Sequence, residues 1–424
     1  MIESQVGRMA NLSSKDNGRI GNPADVHGPP QVILKPRHAL PFFKRHPWVF
    51  GGAILSIQDE LQTGDEVALV SHEGQFIARG LYNPHSQIRV RLYSWDADKP
   101  LDREFWRARL QSAFQLRFDL FGTSGEVTAY RLVNSEADGL SGLTVDRYDR
   151  WLTMQFTSLA LSRRQEMLVE LLRELAQPAG IWLRTEKGMH EAEGLEISDG
   201  LLWGEPPPRP LTIGEHGLRW EVDLIEGQKT GSYLDQRDNR RAVARLVAGH
   251  RVLDVFCYAG GFGIGALVWG HAHEVWAIDS SEAALRLARR NAELNRVADR
   301  WRGERLDGFK ALEQLRDAGE RFDTVVLDPP KLARGRAAFP QALRAYHSLN
   351  HLAVSVLKPE GLLVTCCCSG LVRREDFEQL LADVAIQSRR HIRILETRGA
   401  APDHPLSPFC PENDYLKCYI CSVE

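Results

Sequence analysis

Arg251-Val-Leu-Asp-Val-Phe-Cys-Tyr-Ala-Gly260-Gly-Phe-Gly-Ile-Gly-Ala266 decides the fold. Its first six residues, through Phe256, read as a strand, and the glycines that follow read as a loop opening a helix. Glycine admits a ligand where a Cβ would collide with it. The rhythm continues outward. Glu274–Asp279 is a strand and Ser281 opens a helix to about Asn295. Phe322–Asp328 is a strand ending in Pro329-Pro330. Gly361–Thr365 is another, with a helix from about Glu375. Alternating strands and helices predict an α/β, Rossmann-like domain built on a mostly parallel sheet. Ligands of such sheets bind at the carboxyl ends of the strands.

Asp279 closes the second strand, 25 residues after Asp254, where an acid can accept hydrogen bonds from ribose hydroxyls. Gly261-Phe-Gly263-Ile-Gly-Ala266 also fits the G-x-G-x-x-A pattern of nicotinamide enzymes, and a tight turn without a ligand is the plain alternative. Three features favour S-adenosylmethionine. Asp254 lies inside the strand before the loop. Asp307 follows at a place suited to an adenine amino group. Asp328-Pro-Pro-Lys331 ends the Phe322 strand. Two prolines stiffen that turn and remove two N–H donors, leaving carbonyls and one carboxylate to receive a base's amino group.

Thr365-Cys-Cys-Cys-Ser-Gly370 ends the next strand and opens into the same crevice. Cytosine C5 is a poor nucleophile until a thiolate adds to C6, a covalent device that divides one hard step into easier ones. Alternation puts Cys366 and Cys368 on one face and Cys367 on the other. Cys368, nearest the strand end, is the expected nucleophile; three small residues packing a buried strand is the alternative. Cys418-x-x-Cys421 has zinc-like spacing, but a strand would point its sulfurs apart and no second pair completes a site. No metal is expected.

Upstream, Met1 to about Pro30 has no periodicity and reads as a disordered tail. Gln31–Trp95 is β-rich, with Glu66–Val70, Phe76–Arg79 and Ile88–Tyr93 as strands of a compact barrel or sandwich. Asp102–Gly122 and Ser162–Leu175 read as helices. Leu143–Asp146, Trp151–Phe156 and Ile181–Arg184 read as strands, and Glu205-Pro-Pro-Pro-Arg-Pro210 as a boundary. The 424 residues carry a net charge of −3, so attraction for a nucleic acid must come from local patches. Lys35, Arg37, Lys44 and Arg45, interleaved with Phe42, Phe43 and Trp48, form one such patch. Arg237, Arg240, Arg241 and Arg245 form a second basic run. Seven cysteines without a disulfide-rich module suggest free thiols in a reducing compartment. With no apolar run of about 20 residues and no apolar signal core, a cytoplasmic protein without membrane contact is expected.

Together, Gly227-Gln-Lys-Thr-Gly-Ser-Tyr-Leu-Asp-Gln-Arg237-Asp-Asn-Arg240, Val252–Phe262, Asp328-Pro-Pro-Lys331, Cys368-Ser-Gly370 and Asp403-His-Pro405 carry a specific likeness. From about Gln31 onward the chain resembles the bacterial ribosomal large-subunit RNA cytosine-5 methyltransferases that carry an N-terminal PUA domain. The resemblance implies a tail over 1–30, a PUA-like RNA-binding domain over 31–95, a small α/β middle domain over 96–208 and a class I methyltransferase domain over 209–424. It implies Cys368 as nucleophile and Asp328 as the residue that holds the base. S-adenosylmethionine would meet Tyr233, Gln236, Arg237, Phe256, Tyr258, Ala259, Gly260, Gly261, Asp279, Ser280, Asp307 and Asp328. Ribosomal RNA would meet Lys35, Arg37, Lys44, Arg45 and Lys331. Related enzymes carry a second cysteine after Asp-Pro-Pro; this family and this chain have lysine there, Lys331. A homodimer is also implied. Two other functions fit the residues: amino-group methylation of adenine or guanine, with Cys368 structural, and a ribosome-assembly factor that no longer catalyses.

Overall fold

The computed structural model describes residues 28–424 except Asp59, Thr123, Ser124, Lys187, Gln228 and Arg334. The tail expected over 1–30 therefore lies almost wholly outside the described residues.

The first unit is a six-stranded sheet in the spatial order 48–50, 88–94, 76–82, 66–70, 31–34, 54–57. Its two outermost strands follow each other in the chain, joined only by the turn Gly51–Ala53. That short link draws the sheet's ends together as in a small barrel, around Val32, Leu34, Val49, Val67, Leu69 and Val90.

A five-stranded sheet follows, in the order 200–204, 180–184, 151–156, 143–148, 129–134. The helix Arg103–Phe121 packs on it. Asp102 caps this helix by accepting from the Phe105 N–H at 2.9 Å, and Trp106, Leu110, Ala113 and Arg117 form its buried stripe. The periodic stretch read as one helix from Ser162 is broken: Leu159–Ser162 is a single turn capped by Ser158, and the main helix is Gln165–Ala176.

The third sheet has seven strands: β1 (Arg251–Val255), β2 (Glu274–Asp279), β3 (Trp301–Arg305), β4 (Phe322–Leu327), β5 (Leu357–Cys367), β6 (Ile392–Arg398) and β7 (Lys417–Val423). They are ordered β3-β2-β1-β4-β5-β7-β6. The first five are parallel, and β7 runs antiparallel to both of its neighbours. Helices α1 (Arg237–Ala244), α2 (Gly261–Val268) and α3 (Glu282–Leu294) contribute to one core. Helices α4 (Gly308–Asp317), α5 (Phe339–Ser355) and α6 (Arg374–Ser388) contribute to the other. The order reverses between β1 and β4, so the crevice opens where the loops after β1, β4 and β5 diverge. Alternation along β5 and β7 is obeyed: Cys366 and Cys418 share one core, Cys367 and Cys421 the other.

A hairpin, Leu211–Glu215 with Leu218–Val222, lies between the second and third sheets in the chain. It shares a core with Ala129 and Tyr148 of the middle sheet and with β1. Asp403 ties the same parts together. It is fully buried and accepts from Arg237 Nη2 at 2.7 Å and from the Arg131 backbone N–H at 2.8 Å. Its carbonyl accepts from Arg117 Nη2 at 2.8 Å, and the Pro405 carbonyl accepts from Asn134 Nδ2 at 2.8 Å. Glu136 plays the same part at the first sheet, accepting from Trp48 Nε1 (2.9 Å), Arg91 Nη1 (3.3 Å), Ser141 Oγ (2.8 Å) and Asn413 Nδ2 (3.3 Å).

Candidate active site

The turn after β1 holds its shape through strained backbone and two anchors. Phe256 and Tyr258 have φ of 65° and 46°, and Gly260, at 83°, precedes α2. The Phe256 and Cys257 N–H groups both donate to the Ile278 carbonyl of β2. Asp254 Oδ2 accepts from the Gly263 N–H at 2.9 Å. A Cβ at Gly263 would stand 2.7 Å from Val275 Cγ1 and 3.0 Å from Asp254 Oδ2, so only glycine fits there. At Gly261 a Cβ would meet Arg240 Cδ at 2.9 Å, which lets α1 and α2 approach closely. Asn291 of α3 braces the turn from below: its Nδ2 donates to the Ala259 carbonyl at 3.2 Å while its Oδ1 accepts from the Glu221 N–H at 2.8 Å.

Asp279 ends β2 and accepts from the Tyr258 N–H at 2.9 Å and the Ser281 N–H at 2.8 Å. Asp328 follows β4, and its Oδ2 accepts from Gln236 Nε2 at 3.2 Å. Gln236 is itself held, its Oε1 accepting from Asn239 Nδ2 at 2.6 Å. Cys368 follows β5 and, among the described residues, is the only cysteine that is not buried. Its Sγ donates to the Pro329 carbonyl at 3.6 Å, so the Asp-Pro-Pro turn and the thiol touch.

These groups line one cavity of about 540 Å³, within the usual range for a small-molecule site. Of the residues expected at the cofactor, Tyr233, Gln236, Phe256, Tyr258, Ala259, Gly261, Asp279, Ser280 and Asp328 line it, joined by Lys331 and Cys368. Three are placed elsewhere. Asp307 caps α4, its Oδ1 accepting from the Phe309 and Lys310 N–H groups. Gly260 supplies backbone shape from behind the lining. Arg237 faces away from the cavity and is buried on Asp403, because a guanidinium at 1% exposure needs a carboxylate partner. Lys35, Arg37, Lys44 and Arg45 lie in the first unit, on the connection between its strands 31–34 and 48–50. Arg37, Lys44 and Arg45 are exposed, whereas Lys35 is half-buried with its Nζ on the Gly52 carbonyl.

The lining also holds Lys229 and Asp235, from the Gly227–Arg240 stretch that carries the family likeness, and residues that sequence reasoning passed over: Tyr415, and Glu215 and Trp220 from the hairpin. Arg240, read only as part of a basic run, forms a buried pair with Glu215 at 2.5 Å and donates to the Tyr233 carbonyl at 3.1 Å. That fixes Tyr233, whose ring stands edge-on to Tyr258 with centroids 5.2 Å apart.

The electrostatics concentrate at the strand ends. Burial, with Asp328 and Asp279 adding repulsion, pushes the Asp254 carboxyl up to about 7. Burial and the Asp235 charge push Asp328 up to about 7 as well. For Asp235, burial is outweighed by Lys229, His404 and the Tyr415 hydroxyl, and the group stays well below the usual carboxylate range. Burial, then Asp328, raises the Cys368 thiol to about 12. The crevice thus combines a cradle of backbone without side chains, carboxylates that favour a cationic ligand, and a protonated thiol beside a carboxyl poised near neutrality.

Comparison with known proteins follows the same division. Residues 32–95 match the PUA-like domain family and residues 196–406 the S-adenosylmethionine-dependent methyltransferase family. The chain is 39% identical to the ribosomal RNA large subunit methyltransferase I of Erwinia tasmaniensis over 394 residues, covering 93% of this chain and 99% of that protein. It is 39% identical to the protein of that name from Shigella dysenteriae, covering 93% and 98%. A solved S-adenosylmethionine-dependent methyltransferase from Streptococcus mutans shares the fold with a TM-score of 0.79 at 18% identity, covering 92% of this chain and 99% of that one. A methyltransferase complexed with SAH does so with a TM-score of 0.81 at 19% identity, with the same coverage.

Proposed function

Because the chain belongs to the ribosomal RNA large subunit methyltransferase I family and is an S-adenosylmethionine-dependent methyltransferase, we propose that it methylates C5 of a cytosine in large-subunit ribosomal RNA through a covalent bond between Cys368 and C6. One observation carries this reading: the Cys368 thiol and the Asp-Pro-Pro turn close neighbouring parallel strands, touch each other and line one cavity. Amino-group methylation needs only the turn.

Asp328, raised to about 7, can hold or release a proton at neutral pH. Protonated, it donates to N3 of the cytosine and polarises C6. The Cys368 proton passes to water at the cavity mouth as sulfur bonds to C6, N3 takes up the Asp328 proton, and C5 becomes electron-rich. The cofactor, when bound, supplies an electrophilic methyl group for C5. Water then takes the C5 proton as the S–C6 bond breaks and the ring double bond re-forms; N3 returns its proton to Asp328, and the released thiolate is reprotonated from water. Asp279, with the turn from Phe256 to Gly261, seats the cofactor. The glycine cradle and the carboxylates around it suit a cationic ligand.

Arg37, Lys44 and Arg45 would meet RNA phosphates, with Lys35 beside them and Lys331 at the cavity. Phe43 and Phe50, exposed on the same unit, offer stacking faces. The target base must leave its stack to reach Cys368, so a loop is the expected substrate. The chain would act in the cytoplasm; among the described residues no helix is long and apolar enough to cross a membrane. A division at 31–95, 96–208 and 209–424 is supported by the separate sheets, although the hairpin's core spans the last two units.

The test is nucleoside mass spectrometry on unmodified ribosomal RNA incubated with the protein and methyl-labelled cofactor. Labelled 5-methylcytidine is expected, and it should vanish in Cys368→Ala. A labelled methyladenosine or methylguanosine would overturn the thiol mechanism.

A further inference from the structure

Among the described residues of the cavity, Lys229 is a cation that the scheme above does not use. Lys229 lines the same space as Cys368 and Asp328, on backbone with φ of 52°. Its Nζ lies 3.2 Å from Asp235 Oδ2 and 4.3 Å from the centre of the Tyr233 ring. Asp235, 4% exposed, also accepts from the Tyr415 hydroxyl at 2.7 Å. A lysine side chain that is 44% exposed is therefore held at the cavity by a buried carboxylate and an aromatic face. A solvated surface lysine would have no such tethers.

The position matters because the thiol is otherwise in hostile surroundings. Burial raises it most, Asp328, Cys367 and Asp235 raise it further, and the Lys229 charge pulls it down. Tyr346 and Lys417 face the same sulfur from α5 and β7. The Lys417 ammonium is buried on the Ser369, Asp414 and Tyr415 carbonyls.

We propose, on the covalent reading above, that Lys229 is a positioning residue for the nucleophile: its tethered ammonium stabilises the Cys368 sulfur as a thiolate when it attacks, and again when it leaves the product. The proton balance is unchanged, since the lysine keeps its own proton throughout.

The test is alkylation of Cys368 by iodoacetamide in the full chain, followed across pH by peptide mass spectrometry. A nearby opposite charge lowers a titratable group, by about one pH unit at the low end of the usual range. Lys229→Met should therefore alkylate at least about tenfold more slowly near pH 8 and catch up in strong alkali, with Lys229→Arg restoring most of the rate. Lys229→Gln is the second neutral variant should the first fold poorly, and circular dichroism checks both. Identical pH profiles for a folded neutral variant and the parent overturn the proposal. Adduct trapping by the parent on RNA carrying 5-fluorocytidine tests the covalent reading separately. Absence of an adduct there removes that reading, whereas an adduct with unshifted alkylation profiles removes only the role of Lys229.

Discussion

Arg237→Met separates two roles for one residue. The resemblance to known enzymes puts Arg237 near the cofactor; its contacts put it in the joint between units. The guanidinium is 1% exposed and Asp403 is fully buried, with Arg237 Nη2 and Nη1 at 2.7 and 3.3 Å from the two carboxylate oxygens. Removing one partner of such a pair costs about 3–5 kcal/mol, because a carboxylate is left buried without its counter-charge. The Arg131 N–H and His404 stay beside Asp403, so the lower end, about 3 kcal/mol, is expected. At about 2–4 °C per kcal/mol for a cooperative unit of this size, Tm should fall by roughly 6–12 °C. Burial alone would raise the Asp403 carboxyl, but His404 and Arg237 outweigh it and hold it below its ordinary range. The stability from the pair is thus present above the ordinary carboxylate range and lost as pH falls through the depressed value. Differential scanning calorimetry gives Tm, and isothermal titration gives cofactor affinity. Arg237→Met with Asp403→Leu should recover part of the loss, since an apolar pair can replace a buried ionic one. A Tm within about 2 °C of the parent, together with cofactor affinity reduced tenfold, would refute the reasoning and return Arg237 to the cofactor site.

Three further outcomes are expected. Asp254 has its carboxyl raised to about 7, so it contributes stability that is full below the ordinary carboxylate value and lost as pH rises through 7. Asp254→Asn should flatten the dependence of Tm on pH between those limits in the cofactor-free chain, and parallel curves would count against it. Asn291→Ala removes the brace under Ala259 and should weaken cofactor binding several-fold by isothermal titration, since one buried hydrogen bond is worth about 1 kcal/mol. Phe43→Ala with Arg45→Ala should raise KM for RNA by roughly tenfold or more and leave cofactor affinity unchanged; an equal loss of both would point to misfolding instead.

The catalytic sheet was legible because each of its signals is local. The run Val252–Val255, the glycines after it and Asp328-Pro-Pro-Lys331 carry their meaning within a few residues, and strand alternation sorted the four cysteines of β5 and β7. The hairpin Leu211–Val222 was legible in principle, since apolar residues alternate on both sides of His216-Gly217. That Trp220 and Glu215 would reach the cavity was not, because it depends on packing against helices that come later in the chain. Asn291, an unremarked polar residue inside a helix, has no local signature at all. Asp235 with Tyr415 and Arg237 with Asp403 are pairs more than 160 residues apart. From the sequence, Lys229 has no role of its own, whereas Arg237 and Asp307 are expected at the cofactor. Only the tertiary contacts make the first a wall of the cavity, the second a rivet and the third a helix cap.

The joints at Glu136 and Asp403 have a consequence for which RNAs can react. Each carboxylate is shared among side chains from separate units, so the aromatic and basic surface around Phe43 and Arg45 sits at a set span from Cys368. Such a molecule works as a caliper. A strand gripped at one jaw presents to the other only the nucleotide that lies the right number of phosphates away. On the proposed reading, the choice of cytosine would then depend on spacing along the RNA as well as on the base itself, and lengthening the substrate by a single nucleotide between grip and target should move the reactive base out of range.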